Sequence, residues 1–493
     1  MLRSPRKANR PGRGAGPSGS PGAQPRGILL LSAYELGHQP LGLTLPAALL
    51  RDAGFAPNVL DLSTDRLRED WVLEARLVGI SVPMHTALVL GVRAARRVRA
   101  VNPAAHICFY GLYATLNQAY LLSGDGAGRL ADSVIGGECE TPLVALAQAL
   151  ERGMPPHVPG VSVPGRMAGP HLERTSWRIP SREGLRPLGQ YSELLVPAPD
   201  GPEARVAGYV EATRGCKHLC LHCPIPPVYN GRFFAVPRAL VLRDIADQVG
   251  QGARHITFGD PDFLNGPTHA LALARELHAG HPQVTFDFTA KVQHLLRHRD
   301  LLPELKRCGA LFVVSAVESL SDFVLANLRK GHVRKDVFAA LALLRRTGLA
   351  LRPTFVPFTP WTTVADYLEL LDWVRHEGLL DHVDAVQLTL RLLVPPGSAL
   401  VGTPQFASVP ARLDEAAFTY RWEHPDPRMD RLHGEVQRLA ELAMQDGWPS
   451  GRWLAAFEDA ARTLARPSEL PRAHAEPPLP MLPAPRLKEA WFC

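Results

Sequence analysis

Two blocks of the chain alternate short apolar runs with amphipathic helical stretches. This rhythm narrows the possible folds to parallel sheets covered by helices. In the first block, residues 27–150, the strand candidates are Gly27 to Leu31, Asn58 to Leu62, Leu77 to Val82, His106 to Tyr110 and Ser133 to Ile135, with helices expected at about 41–53, 86–100, 114–122 and 141–151. In the second block, strands at about 206–211, 254–258, 284–288, 311–315, 350–356 and 384–390 give six βα units. The stretch between them, rich in Pro and Gly with a turn at Pro199-Asp200-Gly201, reads as a linker. Residues 411–463 read as helices, with Leu432, Val436, Leu439 and Ala443 on one face, and the chain turns proline-rich from Arg466. The expected organisation of the α/β chain is a basic tail (1–26), a first α/β domain (27–151), a linker (152–205), a second α/β domain (206–400), a helical extension (401–465) and a second tail (466–493).

Charge excludes little once it is located. The formal net charge is +6, and residues 1–26 hold Arg3, Arg6, Lys7, Arg10, Arg13 and Arg26 with no acid, so the remainder is neutral and offers no electrostatic case for nucleic acid. The basic segment, rich in Gly, Pro and Ser, reads as a disordered arm. It lacks the apolar core of a secretion signal, and no later run approaches the ~20 apolar residues that span a bilayer. A cytoplasmic protein without a membrane partner is expected.

Three of the seven cysteines, Cys216, Cys220 and Cys223, fall within eight residues, in Thr-Arg-Gly-Cys-Lys-His-Leu-Cys-Leu-His-Cys. A C-x3-C-x2-C loop can hold three corners of an iron–sulfur cubane and leave the fourth iron open. The competing reading is zinc, with His218 or His222 completing a Cys3His set. Zinc fingers usually use two separated ligand pairs, which favours the cluster. Cys108, inside His-Ile-Cys-Phe-Tyr, and Cys308, ending a helical pattern, read as core residues, whereas Cys139 lies at a candidate site loop, Gly-Gly-Glu-Cys-Glu.

The loop resembles that of the radical S-adenosylmethionine (SAM) superfamily, in which C-x3-C-x2-C binds a [4Fe-4S] cluster and SAM chelates the fourth iron. A strand before it (Val206 to Glu211) and a helix after it (Pro237 to Gln251) agree with that family's order; His222 departs from it, since an aromatic residue is common there. The resemblance implies a partial (β/α)6 barrel with its site at the carboxyl ends of the strands. Phe258-Gly259-Asp260-Pro261-Asp262-Phe263 matches the segment that meets the SAM amino group, so Gly259 is expected to let backbone approach SAM, and Asp260 and Asp262 to receive its ammonium. Lys291 is assigned to the SAM carboxylate or a substrate anion, with a solvated lysine as the alternative. Ser315 and Glu318, in Ser315-Ala316-Val317-Glu318-Ser319, are assigned to SAM through the family's Glu-Ser phrase. The wall from Arg352 to Trp361 either touches substrate or closes the barrel, and Arg391 either holds an anion or a salt bridge.

In the first block, Leu41-Gly42-Leu43-Thr44-Leu45, Leu77-Val78-Gly79-Ile80-Ser81 and Gly136-Gly137-Glu138-Cys139-Glu140-Thr141-Pro142-Leu143 resemble the Rossmann-like cobalamin-binding-type domain of one radical SAM class. Ser81, Gly111, Gly136, Gly137 and Glu138, at strand tips, are the implied cobalamin contacts. Asp-x-His-x-x-Gly is absent around His38, so no histidine of that motif is expected on cobalt; a domain that has lost its ligand is the alternative.

The resemblance implies cofactors, a [4Fe-4S] cluster, SAM and possible cobalamin, and an electron donor such as flavodoxin or ferredoxin. It implies reductive cleavage of SAM to a 5′-deoxyadenosyl radical, with methyl transfer to an unactivated carbon as the leading outcome. A radical SAM enzyme without methyl transfer and a non-catalytic zinc or cobalamin binder are the alternatives. The substrate is not legible. The terminal Cys493, with Gly-Asp-Pro-Asp-Phe and Pro-Phe-Thr-Pro-Trp-Thr-Thr, resembles the radical SAM subgroup with a CUAEP or CCAEP tail. Truncation at a selenocysteine codon is expected from that likeness.

Overall fold

The strand runs Ile-Leu-Leu-Leu-Ser, Leu-Val-Gly-Ile-Ser and His-Ile-Cys-Phe-Tyr are apolar on both faces, as parallel strands between two helix layers must be. In the computed structural model, which describes residues 27–124, 128–173, 176–471 and 483–488, they form the centre of a six-stranded sheet. Its strands are β1 (Ile28–Ser32), β2 (Asn58–Asp61), β3 (Leu77–Ser81), β4 (His106–Tyr110), β5 (Ser133–Ile135) and β6 (Val161–Ser162), in the order β2-β1-β3-β4-β5-β6. The first five are parallel and β6 is antiparallel. The order reverses direction between β1 and β3, where a doubly wound sheet opens a crevice beyond its carboxyl edge.

The second sheet contains β7 (Glu193–Val196), β8 (Glu203–Val210), β11 (His255–Phe258), β12 (Thr285–Thr289), β13 (Ala310–Glu318), β14 (Ala350–Phe355) and β17 (Arg486–Lys488), in the order β14-β13-β12-β11-β8-β7-β17. Five of these, β8 and β11 to β14, are parallel and make the partial barrel. A short hairpin, β9 (Thr213–Gly215) with β10 (Phe233–Ala235), sits between β8 and the helix Arg238–Gly250 and brackets the cysteine loop.

Two expectations need correction, and the linker carries structure of its own. The sixth barrel strand, at 384–390, is instead a 3₁₀ turn, Ala385–Leu388. Its amides bond locally, Gln387 N–H to the Asp384 carbonyl (2.9 Å) and Thr389 N–H to that of Val386 (3.0 Å), leaving only one parallel bridge, Phe358 to Arg391. The linker is not structureless: it supplies β6 to one sheet and β7 to the other. Its Arg182 joins Gln39 of the first domain (3.0 Å) to Asp244 of a barrel helix (2.8 Å). Residues 411–422 form a hairpin, β15 (Ala411–Asp414) with β16 (Thr419–Trp422), in which Thr, Tyr and Trp favour strand over helix. Helices follow only at Pro427–Gln445 and Ser450–Leu464, burying Leu432, Val436 and Ala443 in the barrel core.

The hairpin reaches back to the first domain. Phe418, at its turn, joins that domain's core edge-to-face with Tyr120, and His85 Nε2 lies 2.8 Å from the Ala417 carbonyl. No helix among the described residues is long and apolar enough to cross a membrane. The tail 1–26 and Cys493 lie outside the described residues.

Candidate active site between the two sheets

Gly215, immediately before Cys216, has φ +74°, and a Cβ there would stand 2.4 Å from the Arg232 carbonyl. Only glycine lets the two hairpin strands close and turn the chain into the cysteine loop. Asp260, after β11, anchors the same hairpin: its carboxylate accepts from the Ala212 amide (3.0 Å) and the Thr213 hydroxyl. These bonds give Asp260 a place in the hairpin beside the SAM contact expected of it. Burial pushes its carboxyl up to about 7 against those hydrogen bonds. Gly259 is likewise required by packing, since a Cβ there would meet the Tyr209 ring at 2.5 Å.

Cys216 and Cys220 are buried and Cys223 is half-buried. Burial, with the neighbouring thiols, raises Cys216 and pushes Cys223 up to about 12. Without a metal, Cys216 and Cys223 are therefore protonated thiols. Two buried ammonium groups face it. Lys291 Nζ is 3.3 Å from Cys220 Sγ, and Lys330, which burial alone would lower, is held above its ordinary value by Glu318, Cys220 and Cys223. Cations at this position offset the negative charge of thiolates, so the donor set fits an anionic thiolate-bound cluster. The two histidines of the loop face carboxylates: His222 Nε2 is 3.2 Å from Glu318 and His218 Nε2 is 3.5 Å from Asp262.

Asp262 is likewise held by contacts within the chain. It caps the turn at Phe263–Asn265 through the Leu264 amide (3.0 Å) and lies 2.8 Å from His294 Nδ1. Burial would raise its carboxyl, but His218 and His294 hold it below the ordinary range. Glu318 ends β13 with φ +67°, beside a register shift against β14, a strained conformation that the surrounding contacts hold. Its Oε1 is 3.2 Å from Lys330 Nζ. Ser315, one turn of the strand earlier, has a buried hydroxyl without a hydrogen-bond partner. Glu318, Lys291 and Lys330 thus face the loop.

Arg391 and the Arg352 to Trp361 wall serve packing. Arg391 pairs with Asp430 at 2.7 Å and stacks 3.7 Å over Trp422, Arg352 pairs with Asp384, and Trp361 packs against an apolar cluster that includes Val324 and Leu392.

A cavity of about 210 Å³ lies where the β1/β3 crevice meets the barrel mouth. Ser81, Gly111 and Gly137 line it, along with Glu35, Cys139, Glu140, Tyr110, Tyr209, Glu211 and Arg214, which sequence reasoning did not assign to a ligand. Gly136 and Glu138 are not in its lining. A Cβ on Gly136 would meet the Thr115 hydroxyl at 2.6 Å, and Glu138 accepts from Tyr229 Oη (2.9 Å) and Arg214 (3.3 Å). Arg214, two residues before Cys216, also holds Glu140 and Glu211, both at 2.6 Å, and so ties the cysteine loop to the first domain. His38 stacks on Tyr209 (4.3 Å), and burial lowers it to about 4.

Residues 210–379 match the family model of the radical SAM superfamily. The chain carries a radical SAM domain. Among curated proteins it is 28% identical over 190 residues to the ribosomal protein uS12 methylthiotransferase RimO of Cereibacter sphaeroides (36% of this chain, 41% of that protein). It is 28% identical over 254 residues to the tRNA-2-methylthio-N(6)-dimethylallyladenosine synthase of Anaeromyxobacter sp. (49% of this chain, 50% of that protein). The chain thus spans half or less of the length of these relatives. Two solved structures share the fold around the radical SAM domain. The radical S-adenosylmethionine methyltransferase TsrM from Kitasatospora setae, with cobalamin and a [4Fe-4S] cluster bound, aligns over 92% of both chains with a TM-score of 0.61 at 16% identity. The cobalamin-dependent S-adenosylmethionine radical enzyme OxsB, with aqua-cobalamin and S-adenosylmethionine bound, aligns over 85% of this chain and 67% of its own with a TM-score of 0.65 at 14% identity.

Proposed function

We propose that the chain is a radical SAM enzyme in which Cys216, Cys220 and Cys223 hold a [4Fe-4S] cluster, and that cobalamin occupies the cavity at the β1/β3 crevice. When bound, the cluster supplies the electron that cleaves SAM to methionine and a 5′-deoxyadenosyl radical, and cobalamin supplies a methyl group. The observation that carries the reading is the three-thiol loop, with Cys216 and Cys220 buried and Lys291 and Lys330 facing it, next to Arg214 and Gly215, which line that cavity.

The chain's own residues position and insulate. Lys291 and Lys330 balance the thiolates, and Ser315 and Glu318 offer the acceptor atoms for the SAM ammonium and hydroxyls. Ser81, Gly111 and Gly137, which line the cavity, would contact the cobalamin. Arg214 keeps the two halves in register. A reduced flavodoxin or ferredoxin is the electron donor in this reading, and a reducing cytoplasm is the matching compartment. Kinship with the CUAEP/CCAEP-tail subgroup rests on Gly259 to Phe263 and Pro357 to Thr363, and the codons after Cys493 test it.

Anaerobic reconstitution with iron and sulfide is expected to give a brown protein with broad absorbance near ~400 nm, lost in Cys220→Ala. A colourless protein holding one sulfur-bound zinc would overturn the cluster. Cobalamin added during expression should co-purify, and turnover should yield S-adenosylhomocysteine together with 5′-deoxyadenosine. Deoxyadenosine alone supports the second reading, radical chemistry without methyl transfer from SAM.

A further inference from the structure

Three metal-ligating side chains meet beside the cysteine loop and use none of its sulfur atoms. His218 comes from the loop itself, Asp262 from the turn after β11, and His294 from the helix Val292–Arg297 that follows β12. Their two ring nitrogens and one carboxylate oxygen all lie within 4.8 Å of one another. Asp262 Oδ2 is the hub, 2.8 Å from His294 Nδ1 and 3.5 Å from His218 Nε2. The other oxygen, Oδ1, is taken by the Leu264 amide, which leaves Oδ2 facing the imidazoles.

Asp262 and His294 are both more than nine-tenths buried, and both ring nitrogens are sealed from solvent without a hydrogen-bond partner. For His294 this holds even though an oxygen lies 2.8 Å away, so that oxygen sits off the ring's N–H axis. Two donors each about 2.1 Å from one tetrahedral cation stand roughly 3.4 Å apart, in line with the His218–Asp262 spacing of 3.5 Å, whereas Asp262–His294 is tighter at 2.8 Å. The nearby Lys291 ammonium contacts Cys220 Sγ at 3.3 Å.

We propose that His218, Asp262 and His294 form a second metal site, separate from the three-cysteine site, for a divalent ion of the zinc class with water completing its coordination. Imidazole and carboxylate donors suit such an ion. The ion ties the cysteine loop to the tips of β11 and β12, and so holds the loop in place without taking part in its sulfur chemistry.

Zn²⁺ alone is the probe. The full-length Cys216→Ser/Cys220→Ser/Cys223→Ser variant, which has no cysteine site, is stripped with chelator, loaded with zinc and dialysed. One zinc per chain is expected to remain, with retention falling at least tenfold on adding Asp262→Asn or His294→Ala. X-ray absorption at the zinc edge should show only N/O scatterers at about 2.0 Å. Because the cysteine variant carries no cluster, the outcome does not depend on the proposed radical SAM activity. If the variant fails to fold by circular dichroism, the same zinc-edge spectrum is taken on the wild-type chain after cluster reconstitution. No retained zinc in a folded chain, sulfur scatterers at about 2.3 Å in the wild-type spectrum, or retention unchanged by His294→Ala would each overturn the proposal.

Discussion

Lys330 Nζ lies 3.2 Å from Glu318 Oε1 with both side chains buried, so the strained end of β13 carries an ion pair beside the cysteine loop. Burial alone would raise the Glu318 carboxyl, but Lys330 and His222 bring it down to about 2, against 4.5 in the unfolded chain. A folded value below the unfolded one gives stability that is complete above pH 4.5 and lost as pH falls from 4.5 toward 2. Lys330→Met leaves buried Glu318 with His222 but without its ammonium partner and should cost about 3–5 kcal/mol in chemical denaturation. Lys330→Met/Glu318→Gln should recover most of that loss; no recovery would show that Lys330 acts through packing.

Arg214 is the cation of a buried group that includes Glu138, Glu140 and Glu211. Arg214→Ala strands these carboxylates, and a loss of roughly 3–5 kcal/mol is expected, with Arg214→Lys intermediate. Limited proteolysis should cut the linker faster in Arg214→Ala, since the contact between loop and first domain is broken. Unchanged proteolysis would remove Arg214 as the tie.

Glu35 titrates in the opposite sense to Glu318. Burial pushes it up to about 8, although the Leu41 and Gly42 amides point at it. Its folded value lies above the unfolded 4.5, so its contribution is complete below pH 4.5 and declines as pH rises to 8. Glu35→Gln should raise the Tm more at pH 8 than at pH 5. An equal change at both would contradict a buried, protonated Glu35.

Gly259→Ala places a methyl group 2.5 Å from the Tyr209 ring. The expected cost is about 1–3 kcal/mol. Tyr209→Ala should reduce the additional cost of Gly259→Ala in a double-mutant cycle, and strict additivity would show that the glycine is needed for another reason.

Much of this was readable because it is local. The strands β1, β3 and β4 declare themselves as unbroken apolar runs, and the thiol loop is eight consecutive residues. The segment 384–390 failed as a strand because its composition does not say whether a neighbouring edge awaits it; its amides found partners three residues away instead. The hairpin at 411–422 was missed because its tip is fixed by Phe418 inserting into the distant first domain.

The sequence by itself determined the two βα blocks, the triad of thiols and the segments that flank it, since periodicity and spacing are properties of neighbours along the chain. Only the tertiary structure decided which carboxylates are committed. Asp260 and Asp262 look alike in sequence, yet one holds the hairpin and the other meets two imidazoles. Lys330, His294 and Arg214 acquire roles only when strands far apart in sequence bring them to one mouth. The reason is electrostatic: a charge pairs with what lies within a few ångströms of it once water is excluded, and sequence distance does not report that.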